Sequence, residues 1–191
     1  MKKKWIILFL LLIIILIGYL IIIGFYPIAF VNRSPITLKK FQKVSEATVF
    51  YYQKASDIYN SGNNEIINSA EFKKEIERAM LDKLIENILI NKELNNQLKS
   101  GEIKKIVNEK IKEVLLEKDI KKQVETLYNL SLNEFENELL EPQAKQEILE
   151  GRFLLNNINF EDWLKQTKND SKVIILLNDF EWKNGQVEIK K

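Results

Sequence analysis

The side chains that could do chemistry in this chain are few in kind. It has no cysteine and no histidine in 191 residues, which excludes Cys/His zinc sites, disulfides, cysteine nucleophiles and histidine bases. Carboxylates, lysines, tyrosines and hydroxyls remain. Carboxylate pairs such as Glu136/Glu138 and Glu161/Asp162 have the groups needed for general acid and base work, but adjacent and alternate helix positions do not face each other. No Gly-rich phosphate loop accompanies them, and nothing brings a base, a nucleophile and a metal ligand together. The reading is therefore a non-enzyme with no catalytic residue, no metal site and no cofactor.

What the sequence offers instead is contact chemistry. On a helix predicted from Thr37 to about Tyr59, residues Phe41, Val44, Thr48, Tyr51, Ala55 and Ile58 recur at three- and four-residue spacings, the period of a buried face. Phe50 does not belong to that stripe. Nine residues at about 100° each put it roughly 180° from Phe41. Phe50 and its neighbour Tyr52 are the candidate residues for binding apolar segments of a partner; packing against a second helix is the competing reading for both.

The elements that must position them begin with an apolar run. Residues 5–26 carry no charge, and a helix of that length is about 33 Å long, close to a hydrocarbon core of about 30 Å. Lys2, Lys3 and Lys4 precede it, while the first charge after it is Arg33. The expectation is a transmembrane helix over 5–26 with a cytoplasmic basic end, 1–4, and an extracytoplasmic domain over 27–191. A cleaved signal peptide is the alternative, but the run is longer than the usual apolar core and lacks a small-residue cleavage site. The whole chain has 29 basic and 27 acidic residues. Without the three leading lysines it is near neutral, so the basic excess that marks nucleic-acid binding is absent.

The rest of the pattern is mainly α. A strand is expected near residues 28–31, with a turn at Asn32-Arg33-Ser34-Pro35. A turn-forming stretch at residues 60–64 separates the first helix from a broadly apolar second one, with Gly101 expected as its C′ residue. An amphipathic helix follows from Glu102 and another from about Lys118. Ser131 and Glu134 form a capping box, Pro142 should break or kink the next helix or open a new one, and Asn159 caps a short helix through Trp163. The helical body spans about 37–168. A closing strand near 173–177 and an Asn184-Gly185 hairpin end the chain, over about 172–190, and the two ends are expected to meet in one small sheet.

With those elements in place, the chain resembles the chaperone core of the SurA/PrsA type of extracytoplasmic foldases. The opening Val31-Asn32-Arg33-Ser34-Pro35-Ile36-Thr37-Leu38-Lys39-Lys40-Phe41 is similar to the family's strand, turn and helix start. Leu81-Asp82-Lys83-Leu84-Ile85-Glu86-Asn87-Ile88-Leu89 is similar to its apolar helix, and Asp162-Trp163-Leu164-Lys165 followed by Lys172-Val173-Ile174-Ile175-Leu176 to its closing helix and strand. The resemblance implies an ATP-independent, membrane-anchored holdase whose partners are unfolded segments of exported polypeptides. It does not extend to prolyl isomerase activity, because only about ten residues, Leu154 to Trp163, separate the last body helix from the closing helix, where the family commonly carries a parvulin module. The alternative function is a membrane-anchored adaptor that docks one dedicated partner.

Overall fold

The computed structural model describes Trp5, Phe9, residues 11–13, Gly18, Leu20, and residues 23–59 and 64–190. It is mainly helical, with small antiparallel sheets. The expected fold class included a transmembrane helix over 5–26, and this is corrected. Much of that run, like the basic end 1–4, lies outside the described residues. Where it is described, Trp5, Phe9, residues 11–13, Gly18 and Leu20 are helical, and Ile23 and Gly24 form a turn. Gly24 adopts φ +72°, and the Lys39 amide donates to its carbonyl at 2.9 Å. A left-handed residue ends a helix, so the apolar run is not helical through Tyr26. Among the described residues no helix is long and apolar enough to cross a membrane. The single-pass localisation drawn from that helix falls with it.

The chain then enters β1 (Pro27–Val31), which pairs with β2 (Ser34–Thr37). Asn32 and Arg33 both have positive φ, 48° and 77°, the geometry of a two-residue hairpin turn that matches strand twist. The turn thus closes earlier than the sequence suggested, and Ser34 and Pro35 belong to a strand. Pro35 is tolerated there because β2 is an edge strand. The closing strand β3 (Val173–Ile175) pairs antiparallel with the other side of β1. Asn32 fixes the junction: its amide donates to the Lys172 carbonyl at 2.9 Å and its Oδ1 accepts from the Lys172 amide at 3.0 Å. The hairpin of β4 (Phe180–Lys183) and β5 (Gln186–Ile189) turns at Asn184-Gly185, both at positive φ. It forms a separate two-stranded sheet and does not extend the first one.

Helix α1 (Leu38–Tyr59) starts behind Thr37, whose Oγ1 accepts from the Lys40 amide. A short α2 (Asn64–Asn68) precedes the long α3 (Ala70–Gln97), which Ser69 caps by accepting from the Phe72 amide at 3.1 Å. At about 1.5 Å per residue α3 is about 42 Å long, and it is the spine of the molecule. Its middle (Leu81, Leu84, Ile85, Leu89) packs against Ile28, Val31, Phe41, Phe180 and Val187. Its end (Ile90, Leu94) packs against α4 (Ser100–Leu115) and α7 (Glu141–Leu155) through Ile103, Val107, Leu149 and Phe153. Gly101 lies inside α4 and is not a C′ residue. The chain leaves α3 through an extended Leu98, and the Lys99 amide, donating to Glu102 at 3.0 Å, opens α4.

Helix α5 (Ile120–Tyr128), the single turn α6 (Leu132–Phe135) and a π turn (Glu136–Leu140) lead into α7. Ser131 accepts from the Glu134 amide and its own amide donates to the Glu134 carboxylate at 3.0 Å, a reciprocal cap. Pro142 has no N–H to return to the preceding turn, and the chain meets it with a widened turn before α7 continues. Helix α8 (Phe160–Asp170) begins at Asn159, whose Oδ1 accepts from the Asp162 amide at 3.0 Å.

Candidate functional site

Helix α1 crosses the fold with two different sides. Phe41, Val44 and Ala47 are buried, but Tyr51 and Ile58, expected on the same stripe, are exposed. The stripe leaves the core after Thr48, whose hydroxyl donates to the Val44 carbonyl at 2.8 Å. Ala47, just before that point, already belongs to a third apolar cluster with Val124 and Leu130, and beyond it Tyr51 meets Tyr128 of α5.

An open groove of about 690 Å³ runs along α1, between the start of α3 and the α5–α6 corner. Val49 and Phe50 contribute from α1, Tyr128 and Leu130 from the other wall, and Lys73 and Glu77 from α3. Ser45, 5 % exposed, also lines it with a hydroxyl that has no hydrogen-bond partner among the described residues. At the α6 end the Lys43 ammonium donates to the Glu134 carboxylate, tying α1 to the capping box. Hydrogen bonds from Lys43 and then from Ser131 hold Glu134 well below the usual carboxylate range, at about 2. Burial, and to a lesser degree the Asp179 carboxylate, raise the pKa of Glu77 against the opposing pull of Lys74.

Because Glu134 favours its charged form in the folded state, its contribution to stability is complete above the ordinary carboxylate range and is lost as pH falls towards about 2. Its side chain is 37 % exposed, so solvent screening limits that contribution to about 1 kcal/mol. Glu134→Gln is therefore expected to be less stable than the parent chain by about that amount at pH 7 in urea unfolding. The difference should vanish near pH 2. A gap that stays constant with pH would contradict the ion pair.

Of the two residues singled out in the sequence, the structure brings Phe50 to the groove and leaves Tyr52 outside its lining. Phe50 is half-buried, with the Lys54 ammonium 5.4 Å above its ring. Tyr52 stands edge-on to Phe72, with ring centres 5.6 Å apart, and edge-on to Tyr51 at 5.9 Å. Sequence reasoning did not find the feature these contacts begin. Tyr51 stacks almost parallel on Tyr128 at 5.1 Å, and Tyr128 tilts onto Phe135 at 5.2 Å. Five rings, Phe72, Tyr52, Tyr51, Tyr128 and Phe135, thus form one strip across α3, α1, α5 and α6. Tyr51 and Tyr52 are 37 % and 44 % exposed, and Tyr128 belongs to both strip and groove. Burial, then Tyr51, raises the Tyr128 phenol above its ordinary value.

The carboxylate pairs do not assemble. Glu138 lies 3.3 Å from the Lys40 ammonium, an ion pair without hydrogen-bond geometry, and Glu161 and Asp162 are both exposed in the first turn of α8. Among the described residues no group of acidic side chains could hold a metal ion. The arrangement on α1 offers apolar and aromatic surface interleaved with charged side chains, among them Lys43, Glu46, Lys73, Glu77 and Glu134. No protein-family model, curated protein or solved structure matches the chain.

Proposed function

We propose that this protein is an ATP-independent holdase of the SurA/PrsA chaperone type, which binds unfolded polypeptide segments reversibly along α1. The observation that carries this reading is the aromatic strip, exposed at Tyr51 and Tyr52 and half-buried at its other rings, running into an open groove. Tyrosine rings supply large, rigid, amphipathic contact area at low entropic cost. Such a surface takes apolar side chains of many sequences without covalent chemistry. The groove is broad enough for several side chains of an extended segment, since ligand sites commonly fall in the range of about 300–1,000 Å³.

Binding of a fluorescently labelled, permanently unfolded client, reduced and carboxymethylated α-lactalbumin, tests the site by anisotropy. Phe50→Ser and Tyr51→Ser in the full chain are each expected to weaken binding about fivefold or more, in line with a loss of about 1–2 kcal/mol for a truncated aromatic contact. Folding of both variants would be checked by circular dichroism. Unchanged affinity in both folded variants would place client binding elsewhere and overturn the assignment to α1.

A further inference from the structure

Among the described residues the two most exposed large apolar side chains, Leu154 and Leu155, sit together with Ile158 away from the α1 site, where α7 turns into α8. Leu154 is 77 % exposed, Leu155 84 % and Ile158 45 %. These residues are not loose ends of a frayed loop. The Asn157 amide donates to the Leu154 carbonyl at 3.1 Å and the Ile158 amide to the Phe153 carbonyl at 2.9 Å. Phe153, Phe160 and Trp163 lock behind them in mutual ring contact, with centres 5.0–6.4 Å apart. A rigid base thus presents apolar side chains to solvent, at a cost that burial elsewhere in the fold does not explain.

Leu154, Ile158 and Phe160 line a shallow hollow of about 570 Å³ whose charged lining residues are Glu147, Glu150 and Glu161, with no cation among them. Glu147 is paired with Lys110 at 2.7 Å, and the Glu150 carboxylate accepts from the Gln146 side-chain Nε2. The nearby Arg152 turns away and donates to Gln97 at 2.9 Å. Asp162, next to Glu161, is exposed. The apolar floor therefore carries a net acidic rim, and charge complementarity selects what it can hold.

We infer that the α7–α8 turn is a second docking surface, which binds a polypeptide segment presenting leucine- or isoleucine-like side chains beside lysine or arginine. The anchors enter between Leu154 and Ile158, and the cations meet Glu150 and Glu161. The surface is separate from the α1 groove and does not depend on the holdase reading.

Short labelled peptides of leucine and isoleucine, flanked by lysines or by glutamates, test this against the full chain. The lysine-flanked peptide is expected to bind about tenfold more tightly than the glutamate-flanked one at low salt. That preference should collapse in about 1 M salt, where charges are screened within about 3 Å. Leu154→Ser with Ile158→Ser should weaken both peptides about tenfold, and Glu161→Lys only the lysine-flanked one. Both changes are at exposed positions and should leave unfolding curves unaltered, and Phe50→Ser should leave this binding intact. Equal binding of the two peptides, or no response to Leu154→Ser with Ile158→Ser, would overturn the inference. So would a loss of self-association in that variant without loss of peptide binding, which would make the occupant a second copy of the chain.

Discussion

Leu81→Ala is expected to lower the stability of the domain by about 3–4 kcal/mol, the range for emptying a fully packed leucine site. Leu81 is 0 % exposed at the middle of the spine helix α3, enclosed by side chains of β1, α1 and the C-terminal hairpin. In a chain of this size that corresponds to a fall in Tm of about 10 °C. The same substitution at the exposed Leu154 should change stability by less than about 0.5 kcal/mol. Because α3 carries both large clusters, the effect should reach both ends. Trp182 packs on the first cluster and Trp163 on the second, so a thermal transition followed through either environment should shift together. A change below about 1 kcal/mol, or a shift confined to Trp182, would contradict a single spine.

Lys168→Met carries the second large effect. The Lys168 ammonium donates to Asp82 at 2.7 Å and Glu86 at 2.8 Å, and all three side chains are less than one fifth exposed. Asp82 also accepts from the Val187 amide at 3.2 Å, so the cation helps to hold β5 and α8 against α3. Burial alone pushes the Lys168 pKa down, but the hydrogen bonds to the two carboxylates outweigh it and the pKa is raised. Its contribution is therefore complete at neutral pH and is lost only above the ordinary lysine range. Removing the ammonium leaves two carboxylates one turn apart, with the more exposed Lys83, 3.6 Å from Glu86, as the ion-pair partner that remains. The expected loss is about 2–3 kcal/mol, at the lower side of values for broken buried pairs because the triad is partly wetted. Adding Glu86→Gln to Lys168→Met should recover part of the loss in urea unfolding. An additive double variant would show that repulsion between Asp82 and Glu86 is not the cause.

The parts of this fold that were legible in the sequence are those set within a few residues. Ser131 with Glu134, Asn159 with Asp162, Thr37 ahead of α1 and the Asn184-Gly185 turn each form through neighbours three positions away or fewer, and local chemistry decides them. Gly101 misled because a glycine after a helix resembles a C′ residue, whereas the chain had already left α3 at Leu98 and begun a new helix. Hydrophobicity alone made residues 5–26 look like a spanning helix; a hydropathy window does not register the left-handed Gly24 or its carbonyl accepting from the Lys39 amide. In the candidate site, the angular offset of Phe50 from Phe41 separated it from the predicted stripe, and it lies half-buried in the groove, whereas Tyr51, which periodicity placed in the core, is exposed. The tyrosine strip arises only when α5 and α6 return to α1, so no local pattern encodes it.

Aggregation of chemically unfolded proteins, followed by light scattering with the full chain added in rising amounts, tests the holdase function most directly. Suppression at near-stoichiometric amounts across several unrelated clients is the expected result, and it should weaken in Phe50→Ser and Tyr51→Ser. No suppression of any client, with the chain shown to be folded by circular dichroism, would contradict the function and leave an adaptor for one dedicated partner as the better reading.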